Sequence, residues 1–245
     1  MQSGDGCDAQ CEIEPCFVCS GEPSLCTTGP AGAACDDGDP CTTSACDGGG
    51  MCVAGGPVDC DDSRGCTLDP CDALLGCVHL PDVRSCRSAQ TTKLVVNSAA
   101  ATDKLLWKWL KGESTSQSDF ADPLSAAAYS FCVFAGTAAI VVEADIPPDA
   151  QRWTALGSTG FKYKDANGAA DGIQRITLRA SDSAATKIAL KGKGDGLSLT
   201  DPPLVPPLTA QLTKHDTDVC WSAAYNMADI TRNELGKLKA KTTSP

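Results

Sequence analysis

From residue 93 onward, apolar and polar side chains alternate with a period of two, the pattern of strands that bury one face. In Lys104-Leu-Leu-Trp-Lys-Trp-Leu-Lys111 the alternation puts Leu105, Trp107 and Trp109 on one side. Strands are also predicted over 129–134 and 138–146, joined by Ala135-Gly-Thr, and over 161–164 and 173–179 around the turn Asp165-Ala-Asn-Gly-Ala-Ala-Asp-Gly172. Segments 186–191, 197–199, 208–213 and 219–225 bring the number to about nine. Pro202, Pro203, Pro206 and Pro207 mark an irregular connection, and a helix is expected over 228–239, where the periodicity is weakest. The longest apolar run, 126–142, is interrupted by Tyr, Ser, Cys, Gly and Thr, so it reads as two strands and not as a membrane span. Many short strands separated by Gly and Asp turns imply an antiparallel β-sandwich.

Residues 1–90 lack this alternation and cannot form an apolar core: of twelve Phe, Trp and Tyr residues only Phe17 falls there. Fourteen of the 16 Cys do, leaving Cys132 and Cys220 for the remainder. Charge divides the same way, with 15 acids against 3 Arg in residues 1–90 and 16 acids against 17 bases beyond. The expected fold class is therefore small disulfide-rich repeats followed by an all-β antiparallel sandwich. The expected organisation is a truncated cysteine-rich repeat and linker over 1–34, two four-Cys repeats over 35–90 and the sandwich over 91–245. Ordering a residue costs roughly 1–2 kcal/mol of backbone entropy, which cross-links must offset where apolar side chains are too few. Cysteines at this density persist as disulfides in an oxidising compartment, so a secreted or cell-surface location is expected. Met1-Gln-Ser-Gly-Asp-Gly has neither a basic start nor an apolar stretch, and a signal peptide is expected upstream of this fragment.

A shift of 25 residues superposes Cys35 on Cys60, Cys41 on Cys66, Cys46 on Cys71 and Cys52 on Cys77, giving C-D-D-x3-C-T-x3-C-D-x4-C-V. Four Cys within a unit allow three pairings, which spacing alone leaves open. Cys35-Asp-Asp-Gly-Asp-Pro-Cys41-Thr, and Cys60-Asp-Asp through Gly76-Cys77-Val-His-Leu-Pro81, resemble the slime-mould extracellular-matrix repeat. Gly4-Asp-Gly-Cys7-Asp-Ala-Gln-Cys11-Glu-Ile-Glu14 is similar to the closing half of a myxobacterial cysteine-rich disulfide repeat. The 104–111 strand, Asp122-Pro123, 129–133 and Gly192-Lys-Gly194 resemble an uncharacterised domain of secreted bacterial proteins. These resemblances imply an extracellular matrix or surface setting and no catalytic activity.

The acids of the first repeat, Asp36, Asp37, Asp39 and Asp47, are candidate Ca2+ ligands, since calcium takes six to eight oxygens. The other reading makes them turn caps that accept backbone hydrogen bonds. The second repeat offers Asp61, Asp62, Asp69 and Asp72, but the cationic Arg64 replaces an acid there and opposes a calcium site. No other cofactor is expected. The lone C-x2-C, Cys16-Phe-Val-Cys19, has no second pair at zinc-finger spacing and is expected to be oxidised. Cys132 and Cys220 are expected to pair with each other, with two buried free thiols as the alternative. Trp107, Trp109 and Trp153 are candidates for an exposed platform that stacks on sugars, against the core positions their alternation suggests. His79 reads as a surface turn residue and His215 as a solvated hairpin end, with no nucleophile motif near either.

The expected function is that of a non-enzymatic extracellular or cell-surface protein, a disulfide-stapled stalk presenting a β-sandwich for structural or adhesive binding. A carbohydrate-binding accessory module of a secreted hydrolase and a calcium-binding matrix protein are the alternatives. Expected partners are the extracellular matrix, a surface polysaccharide or another protein. No nucleic-acid partner is expected, since the net charge of −11 disfavours binding to phosphate.

Overall fold

The computed structural model describes residues 6–7, 12–22, 25–98, 103–215 and 217–243. They fall into two compact units, one comprising 1–63 and 68–80, the other 64–67 and 81–245. Cys11, and with it much of the 4–14 resemblance, lies outside the described residues. Among the described residues no helix is long and apolar enough to cross a membrane.

The first unit is built from hairpins too small to fold alone: β1 (Phe17–Ser20) with β2 (Leu25–Thr28), β3 (Thr42–Cys46) with β4 (Cys52–Pro57), and β6 (Cys71–Asp72) with β7 (Gly76–Cys77). The two-residue strands β5 (Thr67–Leu68) and β8 (Leu80–Pro81) complete the repeats. Leu25, Met51, Leu74 and Leu75 stay exposed, so apolar burial contributes little here. Disulfides do the work instead: Cys16–Cys46, Cys19–Cys26, Cys35–Cys52, Cys41–Cys71 and Cys60–Cys77. Both cysteines of the C-x2-C are thereby oxidised, each with a partner outside the motif.

The second unit is an antiparallel sandwich. One sheet has eight strands in the order β13 (Trp153–Ala155), β14 (Gly160–Lys164), β15 (Ile173–Arg179), β16 (Thr186–Lys193), β10 (Lys104–Gly112), β9 (Ala89–Asn97), β21 (Lys237–Thr243) and β20 (Ile230–Glu234). The other has five, in the order β17 (Ser198–Leu199), β12 (Ala139–Ile146), β11 (Tyr129–Ala135), β18 (Leu208–Lys214) and β19 (Cys220–Tyr225). The helix expected over 228–239 is not formed. A single 3-10 turn at Met227–Asp229 leads into β20 and β21. Leu238 and Ala240 face inward while Lys237, Lys239 and Lys241 face out, a strand period that matches the open side of β9. Gly236, at φ +69°, closes the tight turn between the two strands.

The core forms where the inner faces meet. Trp107 on β10 packs on Phe131 of β11 with ring centroids 5.2 Å apart, and Trp153 lies 5.2 Å from Tyr163 and 5.7 Å from Tyr129. Trp109 donates its indole N–H to the Ser222 carbonyl across the sandwich at 2.9 Å, and Trp221 donates to Thr115 Oγ1 at 3.1 Å. All four Trp are at most 1 % exposed. The sugar-stacking platform expected of Trp107, Trp109 and Trp153 is therefore not present: these rings occupy the inward positions of their strands, where the largest apolar area is removed from water.

Candidate functional site

The outer face of the five-stranded sheet is covered by chain from the cysteine-rich sequence. Residues 64–67 and 81–88 lie over β11, β18 and β19 as a strap. Cys132 and Cys220 are therefore not joined to each other. Cys132 is bonded to Cys66 and Cys220 to Cys86. Both side chains sit on the outward side of their strands, facing the strap, while the inward neighbours Phe131, Val133 and Trp221 belong to the core. Polar groups continue the attachment. Gln211 donates to the Asp82 carbonyl at 2.8 Å and accepts from the Arg84 N–H at 3.0 Å, while Arg87 exchanges backbone hydrogen bonds with Cys220 and Ser222, each 3.0 Å long. Covered on both sides, β11 is buried at all seven positions, which explains its nearly unbroken apolar sequence.

Under the strap lies a cluster the sequence kept apart. Ser130 on β11 stands opposite Asp145 on β12, and its hydroxyl contacts both the Asp145 carboxylate and Nε2 of His215, just beyond β18. His215 is exposed, as expected of a hairpin end, yet its ring reaches inward. In a Ser-His-Asp triad the imidazole stands between hydroxyl and carboxylate. Here the hydroxyl stands between the other two and is fully buried, so no substrate carbonyl can approach it. Gly65 of the strap closes over it: a Cβ there would overlap Ser130 Oγ and come within 2.6 Å of Asp145 Oδ1 and 2.7 Å of His215 Nε2. Gly65→Ala is expected to destabilise the sandwich by about 1–3 kcal/mol through overpacking. Its melting transition should fall by several degrees, and an unchanged calorimetric transition would show that the strap is not seated here.

The candidate calcium ligands are used locally. Asp36 Oδ1 accepts the Gly38 N–H at 2.8 Å, Asp37 the Asp39 N–H at 3.1 Å, and Asp39 the Cys41 N–H at 2.9 Å. Asp47 accepts from Gly49 at 2.7 Å and from Met51 at 3.0 Å. These are side-chain-to-backbone turns, and among the described residues the four carboxylates do not gather within 4.8 Å of one another. The backbone N–H of Asp39 holds the Asp37 carboxyl below the ordinary carboxylate range, and that of Met51 does the same for Asp47. A lowered folded-state value means that the turn's stabilisation is present above the ordinary carboxyl value, about 3.9, and is lost as pH falls through the lowered one.

In the second repeat, His79 Nδ1 stands 2.9 Å from Asp69 Oδ1 and 3.6 Å from Asp62 Oδ2, a grouping of metal-ligating types that the sequence reading did not assemble. Arg64, expected to oppose a cation there, forms an ion pair with Glu143 of β12 instead.

The outer face of the eight-stranded sheet differs from the strapped face in both cover and charge. Inward positions hold Leu94, Trp107, Ile176, Leu190 and Leu238, which leaves the alternate positions outside, and those are dominated by Lys and Arg. Lys108, Lys93 and Lys241 stand directly opposite one another across β10, β9 and β21. Lys164, Arg175 and Lys191 do so across β14, β15 and β16. The eight strands contain one acid, Glu234, which pairs with Arg232 at 3.0 Å.

With this geometry in view, comparison with known proteins bears on the two repeats. The family model of the Dictyostelium (slime mold) repeat matches residues 34–54 and 59–81. No curated protein and no solved structure matches the chain.

The two matched repeats share a cross-linking rule that the 25-residue period did not reveal. Within each, the first and fourth Cys pair, Cys35 with Cys52 and Cys60 with Cys77, both 17 residues apart. The third Cys reaches back 30 residues, Cys46 to Cys16 and Cys71 to Cys41. The second Cys of the last repeat, Cys66, would continue the series to residue 96, but no Cys stands there. Val96 is buried in β9, and Cys66 takes Cys132 of the sandwich instead. The sandwich thus receives the bond that a third repeat would have received.

Proposed function

We propose that this chain is a non-enzymatic extracellular or cell-surface module in which disulfide-locked acidic repeats are covalently continued into a β-sandwich that serves structural or adhesive binding. The observation that carries this reading is the cross-linking itself. Among the described residues seven disulfides hold a chain whose first unit buries almost no large apolar side chain, and two of them fasten the cysteine-rich sequence onto the sandwich. Such bonds form and persist outside the reducing cytosol. The match to the slime mold repeat supports the same setting. The enclosed hydroxyl of Ser130 supports a non-catalytic role for the grouping of Ser130, Asp145 and His215.

Production of the full chain in an oxidising and in a reducing compartment tests the proposal. The oxidised product is expected to resist limited proteolysis across residues 12–90, and the reduced product to be cleaved there. Equal resistance in both would overturn the reading, because the first unit would then fold without its cross-links.

A further inference from the structure

We propose that the outer face of the eight-stranded sheet binds a linear anionic polysaccharide, one bearing carboxylate or sulfate groups along its length. This adds a partner and a site to the adhesive module proposed above.

Directly opposed side chains on neighbouring strands stand about 4.5–5.5 Å apart at Cβ, and like charges so placed repel. The face contains two such rows of three, Lys108–Lys93–Lys241 and Lys164–Arg175–Lys191. All six are exposed or half-buried, and none is in an ion pair among the described residues. The chain as a whole is acidic, at −11, so this face is not a reflection of general composition. Thirteen of the 17 Lys and Arg residues beyond residue 90 project from this one face. Neighbouring cations lie well within the Debye length of about 8 Å at physiological salt, so their potentials add. An anionic polymer laid across the strands would relieve the repulsion and release its own counterions. Two shallow depressions mark where it would sit, one edged by Lys93, Lys108, Lys239 and Lys241, the other by Lys164, Arg175 and Lys191 together with Asp165, whose carboxylate is already engaged by Arg152 and by the Asn167 and Ala169 N–H groups.

The chemistry of the face selects the polymer. Neutral sugars are held largely by stacking on exposed aromatic rings, and every Trp is buried. Single-stranded nucleic acid calls for the same stacking platforms. The acidic repeats of a second copy offer charge, but Asp36, Asp37, Asp39, Asp47 and Asp72 have carboxylates engaged by backbone N–H groups within compact turns. A polysaccharide carrying one acid per sugar or per disaccharide presents unengaged charges in a row, as the cations are. The outer face of the other sheet is covered by the strap, which leaves this one open.

The test is a binding titration of the full oxidised chain with alginate, heparin, dextran and single-stranded DNA at several salt concentrations, alongside sedimentation of the protein alone. Alginate or heparin should bind with an affinity that falls steeply as salt rises, and dextran should not bind. In the triple variant Lys93→Gln, Lys108→Gln, Lys241→Gln the affinity should drop by on the order of tenfold. The slope of log affinity against log salt should flatten by about 2, as expected when three contacts are lost. The same three positions changed to Arg should keep binding. Both variants should melt no lower than the parent, which separates lost binding from lost folding. Absence of alginate and heparin binding, binding to DNA alone, self-association alone, or equal binding by the Gln variant would each overturn the proposal. None of these outcomes touches the disulfide-locked module, which is tested by its dependence on oxidation.

Discussion

Replacing Cys86 and Cys220 together by Ser is expected to lower the melting transition of the sandwich by about 10–20 °C. Their bond closes a loop of 134 residues, for which chain-entropy reasoning gives roughly 4–5 kcal/mol. One kcal/mol moves the midpoint of a domain of this size by about 2–4 °C. The loss should exceed the entropic figure alone, because the strap also covers polar groups. Once it is free, Gln211 loses both the Asp82 carbonyl and the Arg84 N–H, and Arg87 no longer pairs with the edge of β19. Removing Cys41 and Cys71 instead should leave the sandwich transition in place, since both belong to the first unit. Calorimetry of the two double variants decides this. Equal effects on the sandwich transition would mean that the strap contributes nothing beyond chain connection.

The second large effect is expected at Trp107. Truncation to Ala removes a fully buried indole packed on Phe131 and should cost about 3–5 kcal/mol, the range for large aromatic side chains in cores. A change on the other side of the same strand, Lys108→Ala, should cost little or nothing, because that side chain faces out among like charges. Chemical denaturation of both variants reads the difference directly. Fluorescence provides an independent reading: native emission should be blue-shifted, poorly quenched by acrylamide and unmoved by saturating polysaccharide. Efficient acrylamide quenching in the native state would restore the exposed platform that the sequence alone allowed.

These expectations show where sequence reasoning succeeds. Period-two alternation identifies strands because burial on one face imposes it. Segment 173–179 emerges with the bounds expected, and 104–111 gains one residue. The alternation also identified the inward side of β10 correctly. It failed at 228–239, where Leu238 and Ala240 are the only inward apolar positions of β21 and Leu235 in the turn breaks the rhythm. The three-residue β13 is too short to display any period.

The disulfides were half legible. A 25-residue period identifies equivalent cysteines, but a bond joins positions brought together by the fold, and here the third Cys of each repeat pairs 30 residues back. The 30-residue spacing of Cys16 to Cys46 and of Cys41 to Cys71 was present in the sequence as a second offset. The remote partners of Cys66 and Cys86 were not legible, because only packing brings the strap onto the five-stranded sheet. Ser130, Asp145 and His215 likewise meet only through strand register.

The basic face was hidden for a simpler reason. Residues 91–245 sum to a charge near zero, and a sum does not register that the acids sit mainly in loops while the cations line one sheet face. The signal was in the strand sequences themselves, where Phe161-Lys-Tyr-Lys164 and Lys237-Leu-Lys-Ala-Lys241 put a cation at every outward position.

What holds the molecule together is the transfer of a repeat-type cross-link from the cysteine-rich sequence to the sandwich, and disulfide mapping of the unreduced protein tests it most directly. Proteolysis without reduction, followed by mass spectrometry, should recover peptides joined through Cys66–Cys132 and Cys86–Cys220. A peptide joining Cys132 to Cys220, or either residue recovered as a thiol, would contradict it.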